Sequence, residues 1–267
     1  MRCLVVLPCF NEEKNVKSLV FSIDQVLRQQ IPYKIIAVND GSRDRTSEVL
    51  KDLSVDYPLR VIEHCNNMGL GAAMRTGLLA AAEESFNDDV VVTMDSDNTH
   101  DPKNILSMLI AARKADIVVG SRYVTGGVQL NVPPHRVILS KIINTFVGRM
   151  FKLPVKDVTS GFRCFRAALL KKLTITFRNE IIRSNGFDSS LELLFKAVHS
   201  GGFATEVPIF LDYGKKGGNS KMRLFSTVIK YLILIFRFKK LIQTDSLHRF
   251  SEREAVKIVN EPIIELQ

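Results

Sequence analysis

The apolar positions change rhythm along the chain, and the rhythm predicts the elements. Near-continuous apolar runs at 2–7, 34–38, 59–63, 89–94 and 117–120 read as strands, most of them buried on both faces. Between the first two, Val16, Leu19, Val20, Ile23, Val26 and Leu27 recur at helical spacing. Further helices are predicted over 45–53, 71–84 and 104–114. This alternation predicts an α/β fold: a mostly parallel sheet with helices on both faces.

After Gly120 the pattern loosens. Gly126-Gly127 and Pro133-Pro134 mark a loop. A helix is predicted over 138–151, a polar turn region over 157–166, a helix over 191–199 and a strand over 204–210 broken at Pro208. The apolar segment 224–236 is shorter than the roughly 20 residues a membrane span needs. Arg223, Lys230 and Arg237 lie seven apart and put a basic stripe on one helical face. That pattern predicts an amphipathic helix over 223–243 in a membrane interface, basic side toward the headgroups. The chain thus divides into a main domain over 1–222, this helix, and a tail over 244–267 with no assigned role.

Composition narrows the class. The 267 residues are 46% hydrophobic and 24% charged, enough to bury a core. The net charge of +9 is uneven, because 213–244 holds eight Lys and Arg and no acid. Such a stretch calls for an anionic partner. No stacking aromatics alternate with its lysines, so nucleic acid is not expected. The four cysteines are scattered, which predicts a reduced, cytosolic protein without disulfides or a zinc site. Met1–Leu7 runs straight into a strand, so no signal peptide is expected.

The chemistry gathers at the predicted strand ends. The string VVTMDSDNTHDP puts Asp95 and Asp97 just past a buried strand, where open α/β sheets bind ligands. Two hard oxygen ligands suit Mg²⁺ or Mn²⁺, and those ions suit a diphosphate. Pro8–Glu12, Asp40–Ser42, Asn66–Gly71 and Gly120–Arg122 follow the other strands. Each alone reads as a turn or a helix cap; five at one edge read as a nucleotide site.

Together the strings LPCFNEE, VNDGSRDRT, NNMGLGAAMRTGL, MDSDNTHDP, DIVVGSRYVTGG, VTSGFRCFR, EVPI and GGNSKMR resemble the family 2, GT-A-fold inverting glycosyltransferases. Within these, the resemblance is to the dolichyl- and polyprenyl-phosphate mannosyltransferases, in order from about Met1 to Arg223. It implies a GT-A (Rossmann-like) domain that moves a sugar, mannose favoured, from a nucleotide-sugar such as GDP-mannose. The implied acceptor is dolichyl or polyprenyl phosphate, and the implied cofactor is Mg²⁺ or Mn²⁺. It also implies a peripheral enzyme on the cytoplasmic face of a membrane, held by its own helix or by a small membrane subunit.

The implied roles fall on named positions. Pro8, Phe10, Glu12, Val38 and Asp40 match the base and ribose site. Asp95, Ser96 and Asp97 match the motif for metal, diphosphate and sugar, with Thr99 as a further metal-shell position. Arg122 matches an arginine expected near the phosphates, and Arg136 one that meets the lipid phosphate. Lys216 and Lys221 match a basic loop that closes over the donor.

Three departures bear on the donor. Asn39 stands where a first acid is common, Asn98-Thr99 follows the acid pair, and there is no Trp. UDP-glucose and UDP-N-acetylhexosamine therefore remain alternative donors. A hydroxyl acceptor would need a general base such as Asp157 or Asp188.

Overall fold

The computed structural model describes residues 1–215 and 224–243, with the side chains of 228–239 in the latter. The expected roles of Lys216, Lys221 and Arg223 fall outside the described residues, as does the 244–267 tail.

The first half follows the predicted alternation: β1 (Cys3–Cys9), α1 (Val16–Leu27), β2 (Tyr33–Asn39), α2 (Thr46–Asp56), β3 (Leu59–Glu63), α3 (Leu70–Glu84), β4 (Val90–Thr93), α4 (Asn104–Ala111) and β5 (Ile117–Ser121). Then come β6 (Val128–Leu130), α5 (Pro134–Met150), β7 (Arg163–Arg166), α6 (Ala167–Phe177), α7 (Asp188–His199), β8 (Ala204–Pro208), β9 (Phe210–Asp212) and α8 (Leu224–Gln243). Seven strands form one sheet in the order β3-β2-β1-β4-β7-β5-β8, and β6 pairs with β9 apart from it. All neighbours in the large sheet are parallel except β7, which is antiparallel to both β4 and β5.

Burial on both faces explains the continuous apolar strands. On β1, Leu4 and Val6 pack toward α3, while Val5 and Leu7 join the core on the α1 side. Gly77 lets α3 lie close on the sheet, since a Cβ there would stand 2.4 Å from Val6 Cγ1. The chain runs from β1 outward to β2 and β3 on one side, and β4 lies on the other. The loops after β1 and β4 therefore diverge and leave a crevice.

Three features differ from the sequence expectation. The polar region 157–166 ends in strand β7, and α6 follows it directly. Arg163 hides this strand from a hydropathy pattern, yet it is buried, donating to the carbonyls of Val158 (2.8 Å) and Ser190. Burial pulls its pKa down to about 10, so it stays charged at neutral pH. Second, α5 starts earlier than expected, with Pro134 at its first position, where a missing N–H costs nothing.

Third, α8 lies the other way round. Tyr231, Leu234, Ile235 and Phe238 are buried in the core shared with α7. Phe238 stacks on Phe195, centroids 3.7 Å apart, and meets Phe151 edge-on. Lys230 faces inward to a cavity, and Arg237 buries one guanidinium nitrogen. The exposed face is mostly apolar instead: Ile229, Leu232, Ile233 and Phe236, the last 72% exposed, with Lys239 exposed at its end. No helix among the described residues is long and apolar enough to cross a membrane.

Candidate active site

Two cavities meet at the crevice between β1 and β4. The first, about 430 Å³, runs from Pro8, Phe10, Glu12 and Asp40 past Asp95–Asp97 to Gly186 and Lys230. The second, about 130 Å³, shares Asp95 and Asp97 and carries Thr99, Arg122 and Arg136. Phe187 and Leu70 line both.

The loops are set by local bonds. Ser96 Oγ donates to the Pro8 carbonyl at 3.0 Å and joins the ends of β1 and β4. Asp97 accepts from the Thr99 amide (3.2 Å) and hydroxyl (2.7 Å), which fixes its carboxylate. Asp40 accepts from the Met68 and Gly69 amides at 3.0 and 2.8 Å and lies 2.7 Å from His64 Nδ1. It thereby ties the loop before α3 to the end of β2. Gly41, at φ +64°, sits so close to that loop that a Cβ would stand 2.4 Å from the Asn66 carbonyl carbon. Glu12 is buried and accepts from Asn15 Nδ2 at 2.6 Å.

The second cavity is built on an ion pair. Arg122 grips Asp157 with two 2.7 Å bonds and also donates to the Thr159 hydroxyl at 2.8 Å. Burial opposes the charge on Asp157, but the Arg122 bonds and field outweigh it and hold the carboxyl below its usual range. The same carboxylate keeps Arg122 charged despite burial. Arg136 lies over the Tyr213 ring, 6.0 Å from its centroid.

The structure thus brings Pro8, Phe10, Glu12, Asp40, Asp95, Ser96 and Asp97 to one cavity, and Thr99, Arg122 and Arg136 to the adjoining one. Val38 does not reach either wall; it is buried on β2, near Gly77 of α3. Sequence reasoning missed Gly186, Phe187, Lys230 and Tyr231 as cavity residues. Lys230 carried a signal: it interrupts an apolar helix. Glu192 on α7 is fully buried. It accepts from the Arg183 and Ser184 amides and pairs with Lys196 at 2.7 Å, so it holds the loop before α7.

No group of three or more His, Cys, Asp or Glu among the described residues is arranged to hold a metal unaided. Two adjacent carboxylates in a nucleotide-sized crevice fit an ion whose remaining ligands are water and substrate phosphates, the habit of Mg²⁺. Such a crevice, at the switch point of a mostly parallel sheet and opening on a cationic pocket, defines a nucleotide-dependent group-transfer enzyme.

The chain belongs to glycosyl transferase family 2, whose pattern matches residues 4–174. It is 32% identical to a polyprenol monophosphomannose synthase of Mycolicibacterium smegmatis, over 78% of this chain and 76% of that one. It is 35% identical to a dolichol-phosphate mannosyltransferase of Pyrococcus furiosus, over 90% of this chain but 64% of the relative. An undecaprenyl-phosphate mannosyltransferase of Micrococcus luteus is 32% identical over 83% of this chain and 88% of its own length.

The fold is shared with more distant enzymes. Glucosyl-3-phosphoglycerate synthase from Mycobacterium tuberculosis, solved with Mn²⁺, UDP and phosphoglyceric acid, superposes with a TM-score of 0.60 at 18% identity, covering 88% of this chain and 76% of that one. TarS from S. aureus, solved with UDP-GlcNAc, gives 0.54 at 18% identity, over 84% and 62%.

Proposed function

We propose that this glycosyltransferase moves mannose from GDP-mannose to a dolichyl or polyprenyl phosphate, inverting the anomeric centre. The observation that carries the reading is the junction of the two cavities at Asp95 and Asp97. One cavity has the size and polar lining of a nucleotide-sugar site. The other brings Arg122 and Arg136 to the same carboxylates, as an anionic acceptor requires. The names of the three relatives support mannose and the lipid phosphate.

In this reading Pro8, Phe10, Glu12 and Asp40 hold the nucleoside. Asp95 and Asp97 hold Mg²⁺ or Mn²⁺, which when bound neutralises charge developing on the leaving diphosphate. Lys216 and Lys221, which precede α8 in the sequence, add to that neutralisation. Arg136 receives the acceptor phosphate, and Arg122 shapes its pocket while clamped on Asp157. The acceptor is already an anion, so attack needs alignment rather than proton removal. A hydroxyl acceptor would need a base, and Asp157, held ionised by Arg122, is a poor one. The exposed apolar face of α8 rests on the membrane surface from which the lipid comes, on the cytoplasmic side where nucleotide-sugars are found.

The test is transfer from a panel of GDP- and UDP-sugars to polyprenyl phosphate, with either ion or with chelator, for the native chain and Asp97→Ala. One mannosylated lipid product, lost with chelator and in Asp97→Ala, is the expected result. A product from a UDP-sugar alone would replace the donor. No product from a protein that still binds nucleotide would point to a non-lipid acceptor or a required membrane subunit.

A further inference from the structure

We infer that Lys230 and Asp188, facing each other across Gly186, hold a hydroxyl of the donor sugar between them and so set which sugar is accepted. The inference rests on reading the larger cavity as the donor site. A Cβ placed on Gly186 would stand 2.9 Å from Asp188 Oδ1 and 3.0 Å from Lys230 Nζ. The two groups thus converge on one point beside Gly186: Gly186 and Lys230 line the cavity, and buried Asp188 stands just behind that wall. No ion pair joins them among the described residues, and the buried Asp188 Oδ1 has no hydrogen-bond partner there. A buried carboxylate oxygen left in that state is costly and calls for a donor.

The chemistry of the gap selects the ligand group. An ammonium only donates and a carboxylate only accepts. A group bridging them must accept from Lys230 and donate to Asp188. A hydroxyl does both; a phosphate oxygen cannot donate, and Asp188 would repel it. Position agrees with a sugar. Phe187, between Gly186 and Asp188, lines both cavities, and Tyr231, next to Lys230, lines the second, so this stretch of wall adjoins the junction. A Cβ on Gly161 would lie 3.6 Å from Asp95 Oδ1 and 3.5 Å from Ser190 Oγ, which brings the start of α7 beside Asp95. Lys230 is also the one cation among the described residues lining the larger cavity.

The test measures binding by calorimetry and transfer kinetics for the full chain with Mg²⁺ or Mn²⁺. It compares native protein with Lys230→Met and Asp188→Asn, using the nucleoside diphosphate, the intact donor and its monodeoxy analogues. Native protein should reject one deoxy analogue by on the order of 100-fold or more, because that analogue leaves Asp188 unsatisfied. Both variants should lose a similar factor on the intact donor and respond little to removal of the same hydroxyl. Their affinity for the nucleoside diphosphate should be unchanged. Equal weakening of the nucleoside diphosphate would make Lys230 a phosphate ligand and overturn the inference. Unaltered deoxy discrimination, with lower thermal stability, would assign the gap to a structural water and overturn it too. Lys230→Arg is the folding control, since Lys230 is only half-buried. Failure of lipid transfer in native protein, with sugar-dependent binding that both variants abolish, would sink the acceptor assignment and leave this inference standing.

Discussion

At the scale of single residues, buried charge is placed where it can hold a cavity wall. Arg122 and Asp157 neutralise each other, and removing one leaves the other stranded. Arg122→Met should cost about 3–5 kcal/mol of stability. The pH dependence gives the sign. Asp157 ionises more readily folded than unfolded, so its contribution is complete above the unfolded carboxyl value of about 3.9. It is lost as pH falls through the lower folded value. In Arg122→Met the stranded carboxylate has its pKa raised, and its penalty is relieved by acid. Thermal melts of the two proteins should therefore converge from neutral pH toward about pH 4. A gap that ignores pH would mean that Arg122 acts through packing alone. The acid pair at Asp95 and Asp97 was legible in the sequence because it directly follows a buried apolar run. Asp157 was not, because a carboxylate in a turn reads the same whether or not an arginine reaches it from another strand.

At the scale of elements, two devices shape the site from outside. The Glu192–Lys196 pair on α7 holds the loop 181–186 through the Arg183 and Ser184 amides and the Ile181 carbonyl. Burial works against the charge on Glu192, but Lys196 and the loop amides bring its pKa below the usual range. Glu192→Ala strands a buried ammonium and should lose about 3–5 kcal/mol. Hydrogen exchange at Arg183 and Ser184 should quicken beyond the change at α1; a uniform change would refute a local role. The second device is α8. Replacing exposed Ile233 and Phe236 with Ser should weaken binding to anionic vesicles by roughly 10-fold or more. Transfer to a short, water-soluble polyprenyl phosphate should not change. Unaltered vesicle binding would move the contact elsewhere, and the exposed Ile138, Ile142 and Phe146 of α5 would be next. The orientation of α8 was hidden in the sequence for a plain reason. Spacing tells which residues share a face, and here the faces on either side of Lys230 are both apolar.

At the scale of the whole molecule, the parallel half was readable because strands buried on both faces announce themselves without a partner. The second half was not, because β7 is four residues long and two of them are arginine. Its position in the sheet has a consequence for how the protein is made. β5 does not pair with β4; it joins the sheet through β7, which lies more than 40 residues further along the chain. A ribosome releasing this chain frees β1 to β4 early, and they pair with one another. β5 then has no edge to dock on until Arg163–Arg166 emerges, and β8 must wait for β5. During synthesis, the exposed side of β4 is an open, apolar strand edge of the kind that invites aggregation. The short arginine-bearing strand that hides from pattern reading is also the piece that closes it.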